Sequence, residues 1–331
     1  MANQPLPWTI VLQNIIRSPT ERKRLASALG MADMTLIRWA NGDSTPQRPH
    51  LTRLVQVLQP NHREDIVNAL KETYPDIQSW LKADIEERIA PEFFAQVLNV
   101  RTTTTESLRF WRISEMVLKQ ALLQLDPNNL GMAIKLIQCM PPKDGKIRSI
   151  RECAGKGTPP WTDELEHDVL FLGLESMSGY ATETRHVVND DDLRKNKTVP
   201  AYKGDYEISA VAHPIRIEGR VAGCLLASST QVGYFTQQRV ALTAAFSDLI
   251  SLAFDKNDFY PASMLELRFM PSPEVQKPII ATFRERVTKK FHRSGRGGSR
   301  LSNPEIELAV WQDIEEELLS LPDDSAEQNL T

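Results

Sequence analysis

The sequence predicts a multidomain chain: an all-α head, a helical linker, an α+β domain and a helical C-terminal extension. Three observations predict it. The first sixty residues carry four short stretches of helical apolar spacing, separated by hard stops. After Pro127 the pattern changes to short β-rich runs with hairpin turns. Beyond residue 257, prolines and helical spacing return. At roughly 100 to 200 residues per domain, 331 residues suit two or three folded domains.

Bulk properties narrow the class. Hydrophobic residues make up 41% of the chain, enough for real cores, and the net charge is −4. Any nucleic-acid face must therefore be local. Cys139, Cys153 and Cys224 are an odd number without a CxxC, which points to reduced thiols rather than a disulfide framework. No signal peptide opens the chain, and no apolar run approaches the roughly 18 residues of a membrane helix. The expectation is a cytoplasmic protein without a membrane partner.

The head is expected over 1–75. WTIVLQNIIR (8–17) is amphipathic through Ile10, Val11, Ile15 and Ile16. In SPTERKRLASALG, Ser18 or Thr20 can cap, Pro19 suits a first turn and Gly30 ends the helix. Leu25, Ala26 and Leu29 form its apolar side. GMADMTLIRWANGDSTP (30–46) then holds a very short helix. Asp33 is its N-cap or first-turn acid, Leu36, Ile37 and Trp39 give apolar bulk, and Asn41-Gly42 ends it. Leu51, Leu54, Val55 and Leu58 mark a fourth helix.

Two helices joined by so short a turn make a helix-turn-helix pattern. LASALGMADMTLIRWANGDSTP resembles that of the lambda-repressor-like (XRE-type) group, over about residues 8 to 60. The resemblance implies a head that binds double-stranded DNA. A helix crossing a major groove about 12 Å wide must be short. Its expected contacts are Arg22, Lys23, Asp33, Met34, Thr35, Arg38 and Asn41. Arg38 can read guanine or hold a phosphate, and Thr35 can do either. Arg17, Arg22, Lys23, Arg24, Arg38, Arg48 and Arg53 against Glu21, Asp33 and Asp43 leave the first sixty residues at +4. Asp33 is the discordant residue, since an acid there repels phosphate. A protein-docking module of the same shape is the alternative.

The linker, 76–125, is expected to hold helices over DIQSWLKADIEERI and PEFFAQVLNV, then a long helix over about 105–125 that Pro127 stops. In that helix Leu108, Trp111, Leu118, Leu122 and Leu125 follow a heptad path interrupted by Glu115. Phe110, Ile113, Val117 and Ala121 mark a second stripe. One stripe can cover a sheet while the other meets a second copy, so a homodimer is expected.

The middle domain, 126–256, reads as strands at GMAIKLIQCM and KIRSIREC with a turn at Asp144-Gly145. A helix with a Gly break is expected over ELEHDVLFLGLESMSGYATET, then a short strand at RHVVND. EISAVAHPIRI and RVAGCLLASST pair around Glu218-Gly219-Arg220, and a helix covers 236–254. This order predicts an α+β sheet with helices on one face. GLESMSGYATETRHVVND, ISAVAHPIRIEGRVAGCLLASS and YFTQQRVALTAAFSDLISLAF resemble a GAF domain, over about 105 to 256. The resemblance implies a sensory pocket between the sheet and loop region 155–205, or a dimerisation module.

No ligand is legible. Asn196-Lys197 is not followed by the rest of that family's cyclic-nucleotide signature, and Cys153 and Cys224 read as small strand residues rather than bilin attachment points. His167, His186 and His213 are scattered singly, so no metal is expected and no cofactor is identified. For a small-molecule effector, the polar candidates are Tyr180, Arg185, Asn189, Asp191, Tyr206 and Ser209; NDDDLRKNK (189–197) reads as a charged loop.

In the extension, 257–331, Lys289, Lys290, Arg293, Arg296 and Arg300 form a basic cluster on a helix and loop. A last helix has Asn303 as cap and Pro304 at its first position, with Ile306, Val310, Ile314 and Leu318 in register. The tail after Leu321 reads as disordered. No catalytic motif appears, so the expectation is a transcriptional regulator and not an enzyme. The alternative is a signalling protein or enzyme in which the GAF-like domain acts and the head docks a protein.

Overall fold

The computed structural model describes residues 7–77, 88–165, 169–195, 204, 206–294 and 302–321. The expected helix over 76–89 falls largely outside these residues. So do Asn196-Lys197, His167, Arg296, Arg300 and the tail. The chain divides into two compact units: one of residues 1–87, 122–132 and 157–163, and one of 88–121, 133–156 and 164–331.

The first unit contains α1 (Pro7–Ile16), α2 (Pro19–Leu29), α3 (Asp33–Ala40), α4 (Arg48–Val57) and α5 (Pro60–Thr73). In α1 the buried stripe is Trp8, Leu12, Ile15 and Ile16, while Ile10 is exposed; the expected helix stands, rotated from its expected face. Ser18 caps α2 by accepting the Glu21 amide at 3.4 Å. Gly30 ends α2 in the left-handed region, φ +66°, where a side chain would be strained. Ala32, not Asp33, is the N-cap of α3, so Asp33 is a first-turn acid. Leu36, Trp39 and Ala40 are buried under α3, and Leu51, Leu54, Val55 and Leu58 under α4.

The same unit holds a buried polar anchor. Arg63, on α5, donates to the Leu58 and Asn129 carbonyls at 3.0 and 2.6 Å. The Asp126 carboxylate accepts the Leu130 and Gly131 amides and the Thr158 hydroxyl at 2.7, 3.2 and 2.5 Å. Burial pushes the Asp126 carboxyl above its ordinary range, against the pull of these bonds and of Arg63.

The second unit is built on a six-stranded sheet: β1 (Met132–Cys139), β2 (Ile150–Gly157), β3 (Phe171–Leu172), β4 (Val188–Asp190), β5 (Ser209–Ile217) and β6 (Arg220–Ser229), in the order β3-β2-β1-β6-β5-β4. The pairs β2–β3, β4–β5 and β5–β6 are antiparallel. Glu218 and Gly219 turn the last hairpin at φ +51° and +75°, and Asp144-Gly145 turn the first at +51° and +78°. Helices on one face were expected. Instead β6 is buried at every position from Val221 to Ser229, so both faces are covered.

The remaining helices are α6 (Pro91–Thr103), α7 (Glu106–Leu125), α8 (Met177–Thr184), α9 (Gln237–Ile250), α10 (Pro273–Ile280), α11 (Phe283–Ser294) and α12 (Asn303–Leu319). The long helix expected over ELEHDVLFLGLESMSGYATET is corrected: Phe171–Leu172 is a strand, and among the described residues only Met177–Thr184 is helical. Two glycines explain the break. A Cβ on Gly173 would lie 1.7 Å from the Arg268 carbonyl oxygen, and one on Gly179 the same distance from that of Gly173. The chain closes up there and Ser176 starts a new helix by capping Gly179.

The heptad path on α7 is used within the chain for most of its length. Leu118, Leu122 and Leu125 are buried, and Glu115 pairs with Lys156 of β2 at 2.9 Å. Leu108 and Trp111, each 50% exposed, are left facing outward. In α12 the cap is Ser302, boxed with Glu305, one residue before the expected Asn303. Ile306, Val310, Ile314 and Leu318 are buried as the spacing predicts, and Met140, Phe171 and Met270 pack with the last three. Trp311 stacks on Phe283 at 3.9 Å and lies 4.4 Å from the Arg151 guanidinium. Lys289 and Lys290 of the basic cluster pair with Glu285 and Asp313 at 2.5 and 2.7 Å.

Candidate functional site

Two places combine polar chemistry with exposure or space. The first is the outer side of α3. Eight residues cannot make a free-standing helix in water, so α3 is held by burying one stripe. Burying Leu36, Trp39 and Ala40 turns Met34 and Arg38 outward, one helical turn apart, with Thr35 half-buried between them. The Arg38 side chain makes no ion pair or hydrogen bond among the described residues. Asn41, exposed, follows at the C-cap. Asp33 lies 3.5 Å from Arg22 of α2, so its charge is met inside the head. Lys23 is exposed on α2, and Arg17, Arg48 and Arg53 are exposed elsewhere in the unit. Of the seven residues expected to meet DNA, Asp33, Met34, Thr35, Arg38 and Asn41 share α3 and its cap, while Arg22 and Lys23 stand on α2.

The second place is a narrow cavity of about 20 Å³ within the sheet unit. Lys135, Glu152 and Glu207 are its charged lining residues, with Ser176 and Ser178 beside the apolar Leu172 and Leu226. Lys135 and Glu152 pair at 2.8 Å with little exposure. Glu207 accepts the Ser228 hydroxyl at 3.0 Å and the Gly204 amide at 2.8 Å. A buried ion pair is weak stabilisation, because desolvation offsets attraction. With Glu207, it gives the cavity a charged lining inside the sheet unit. The space suits a water molecule, whereas pockets for drug-sized ligands run to about 300 Å³ or more.

None of the six expected effector residues lines this cavity. Tyr180 is 42% and Tyr206 59% exposed. Arg185 ends α8 in the left-handed region, and its carbonyl accepts from Arg216 at 2.9 Å. Asn189 sits in β4 opposite Val211. The Asp191 carbonyl accepts the Gly233 amide at 2.8 Å, and buried Ser209 donates to the Gln231 carbonyl at 2.6 Å. Arg185, Asp191 and Ser209 thus hold turns and strand ends together. The cavity's own polar residues carry one readable sign. Strand alternation places Lys135 with Ala133, Ile137 and Cys139, so a lysine on that parity points inward.

Burial pushes the Cys224 thiol up to about 12, and the Cys139 thiol further still. Both are protonated near neutral pH and poor nucleophiles. Burial also lowers the His213 imidazole below its ordinary value. Among the described residues, no group of three or more His, Cys, Asp or Glu is placed to hold a metal, and no helix is long and apolar enough to cross a membrane.

No protein-family model matches the chain, and no curated protein matches it. Among solved structures it is similar to a type II free methionine-R-sulfoxide reductase from Thermoplasma acidophilum. That match is 16% identical over 45% of this chain and 99% of the other, with a TM-score of 0.32. It is also similar to the GAF domain of a phosphoenolpyruvate-protein phosphotransferase from Acinetobacter, 13% identical over 50% of this chain and 93% of the other, with a TM-score of 0.33.

Proposed function

We propose that the protein is a cytoplasmic DNA-binding transcriptional regulator, with the head as a helix-turn-helix reader and the sheet unit as a GAF-like sensory or dimerisation domain. The observation that carries the reading is α3: a short helix clamped on one side, presenting on the other Met34 and an Arg38 side chain without a partner among the described residues. The ion pair between Arg22 and Asp33 supports the reading, since a guanidinium 3.5 Å away offsets part of the acid's repulsion of phosphate. Exposed Arg17, Lys23, Arg48 and Arg53 supply the sequence-independent attraction.

The protein acts as a homodimer, because one such head reads too little DNA alone. Leu108 and Trp111 of α7 are the residues offered for that contact. The sheet unit responds to a small polar solute if its cavity widens around Lys135, Glu152 and Glu207. A molecule retained in native mass spectrometry identifies that role, and its absence leaves dimerisation.

The deciding experiment is duplex binding by the full chain at several salt concentrations. Phosphate neutralisation makes log K fall linearly with log salt, by roughly 0.9 per contact. Arg38→Ala should weaken binding to a selected site by about 5- to 150-fold, the worth of a guanine contact of about 1 to 3 kcal/mol, with an unchanged melting curve. Binding that is indifferent to salt and to Arg38 would instead make the head a protein-docking module.

A further inference from the structure

We infer that the C-terminal extension guards one edge of the sheet, where Gln276 stands in for a missing strand and keeps out β3 of a second copy of this chain. All of the residues concerned lie in the sheet unit. β3 is the last strand on its side of the sheet. An edge strand presents unpaired N–H and C=O groups, a template for another chain. Along an antiparallel strand, alternate residues bond the neighbouring strand and those between them point outward. The Leu170 carbonyl accepts the Glu152 amide of β2 at 3.0 Å. Phe171, opposite Arg151, therefore turns its own N–H and C=O away from β2.

Both outward groups of Phe171 meet one side chain. Gln276 Oε1 accepts the Phe171 amide at 2.8 Å, and Gln276 Nε2 donates to the Phe171 carbonyl at 2.8 Å. This is the two-bond exchange of an antiparallel ladder, made by a side-chain amide that carries the donor and acceptor of a peptide group. Nε2 also donates to the Pro271 carbonyl at 2.8 Å, and Gln276 is 2% exposed. The next outward residue, Gly173, is closed as well. Glu175 accepts its amide at 2.7 Å and, on its other oxygen, the Met270 amide at 2.9 Å. Residues 169–174 show why this edge needs closing. They read VLFLGL, without a charge or a proline, which is the composition of segments that stack on copies of themselves.

The test is Gln276→Met in the full chain, which nearly keeps the side-chain volume and removes both bonds to Phe171. Gln276→Asn keeps the amide but draws it back by one methylene, and carries the same test if the first variant does not fold. Hydrogen exchange in the peptide spanning β3 should quicken by about tenfold, the loss of one hydrogen bond. At micromolar concentration the variant should form species larger than wild type in light scattering, with a thioflavin T signal that wild type lacks. Leu318→Ala is the control, because it truncates a side chain 1% exposed in the core under α12 and leaves Gln276 in place. Each protein is compared at the same interval below its own melting point. Equal self-association in Leu318→Ala would trace the effect to general loosening and overturn the inference. Unchanged exchange in β3, or a particle of wild-type size, in the Gln276 variant would overturn it as well.

Discussion

Replacing Trp39 by alanine should strongly destabilise the head and leave the sheet unit intact. The indole is 4% exposed and lies 5.8 Å from the His50 ring, in a head where Leu36, Leu51 and Leu54 are also buried. Truncating a buried aromatic of this size costs roughly 3 to 5 kcal/mol, transfer and cavity together. A unit of about a hundred residues has on the order of 5 to 15 kcal/mol in hand, so the loss takes a large fraction of it. At about 4 to 8 °C per kcal/mol, the head's transition should fall by on the order of 20 °C. Calorimetry of the full chain reads this directly, because the sheet unit has its own core in Ile137, Ile150, Cys224 and Leu226. Arg38→Ala, one residue away and exposed, is the matched control and should not move the transition. If Trp39→Ala melts within a few degrees of wild type and changes only sequence preference, Trp39 faces the groove and the orientation of α3 given above is wrong.

Gly223→Ala should prevent the sheet unit from reaching its native transition, since a Cβ there would lie 1.9 Å from the Ile137 carbonyl oxygen; Gly219→Ala, in open space at φ +75°, should cost only about 1 kcal/mol, and equal melting points for the two variants would contradict the packing of β6 on β1. Iodoacetamide at pH 8 should leave Cys139 and Cys224 unlabelled in the folded protein and label both in denaturant; rapid native labelling of either would refute their burial and revive thiol chemistry. Arg148 and Lys143 bond the ionised Glu316 carboxylate and hold it below its ordinary value of 4.5. Its stabilisation is therefore full above pH 4.5 and lost as pH falls through the depressed folded value. Burial pushes neighbouring Glu315 the other way, so the urea midpoint of wild type minus that of Glu316→Gln isolates the effect. A difference that does not shrink on acidification would rule out the ion pairs.

Local spacing carried the helices of the head and the four inner strands because each element there declares itself within a few residues. Gly30 and Ser18 stop and start α2, and two Xaa-Gly turns set both hairpins. The middle of the chain resisted for a different reason. The run around Phe171 is too short to separate a strand from a buried helix turn by period. What decides it is the approach of the Arg268 backbone to Gly173, from ninety-five residues away in sequence. Longer-range pairing likewise hid the cavity. Lys135 and Glu152 read as ordinary strand polars, and only the fold brings the ammonium and carboxylate within 2.8 Å.

Charges that look misplaced in the sequence are the most informative residues after the fold is known. Asp33 opens a helix expected to meet phosphate, and Glu115 breaks an apolar heptad path. Each has a basic partner on another element, Arg22 and Lys156. The two pairings pull the functional reading in opposite directions. The first removes an objection to DNA, because a carboxylate already met by a guanidinium repels phosphate less. The second removes support from a long coiled-coil seam, because a helix face that sends Glu115 to its own sheet, and buries Leu118 and beyond, has no knobs left to offer a partner there. A dimer through α7 then has Leu108 and Trp111 to use in the first turns, and Leu123, off the heptad path, near the other end. Trp111→Ala, which leaves the buried half of the helix untouched, should therefore shift the protein from dimer toward monomer in light scattering. A monomer already present in wild type at micromolar concentration would remove α7 from the assembly altogether.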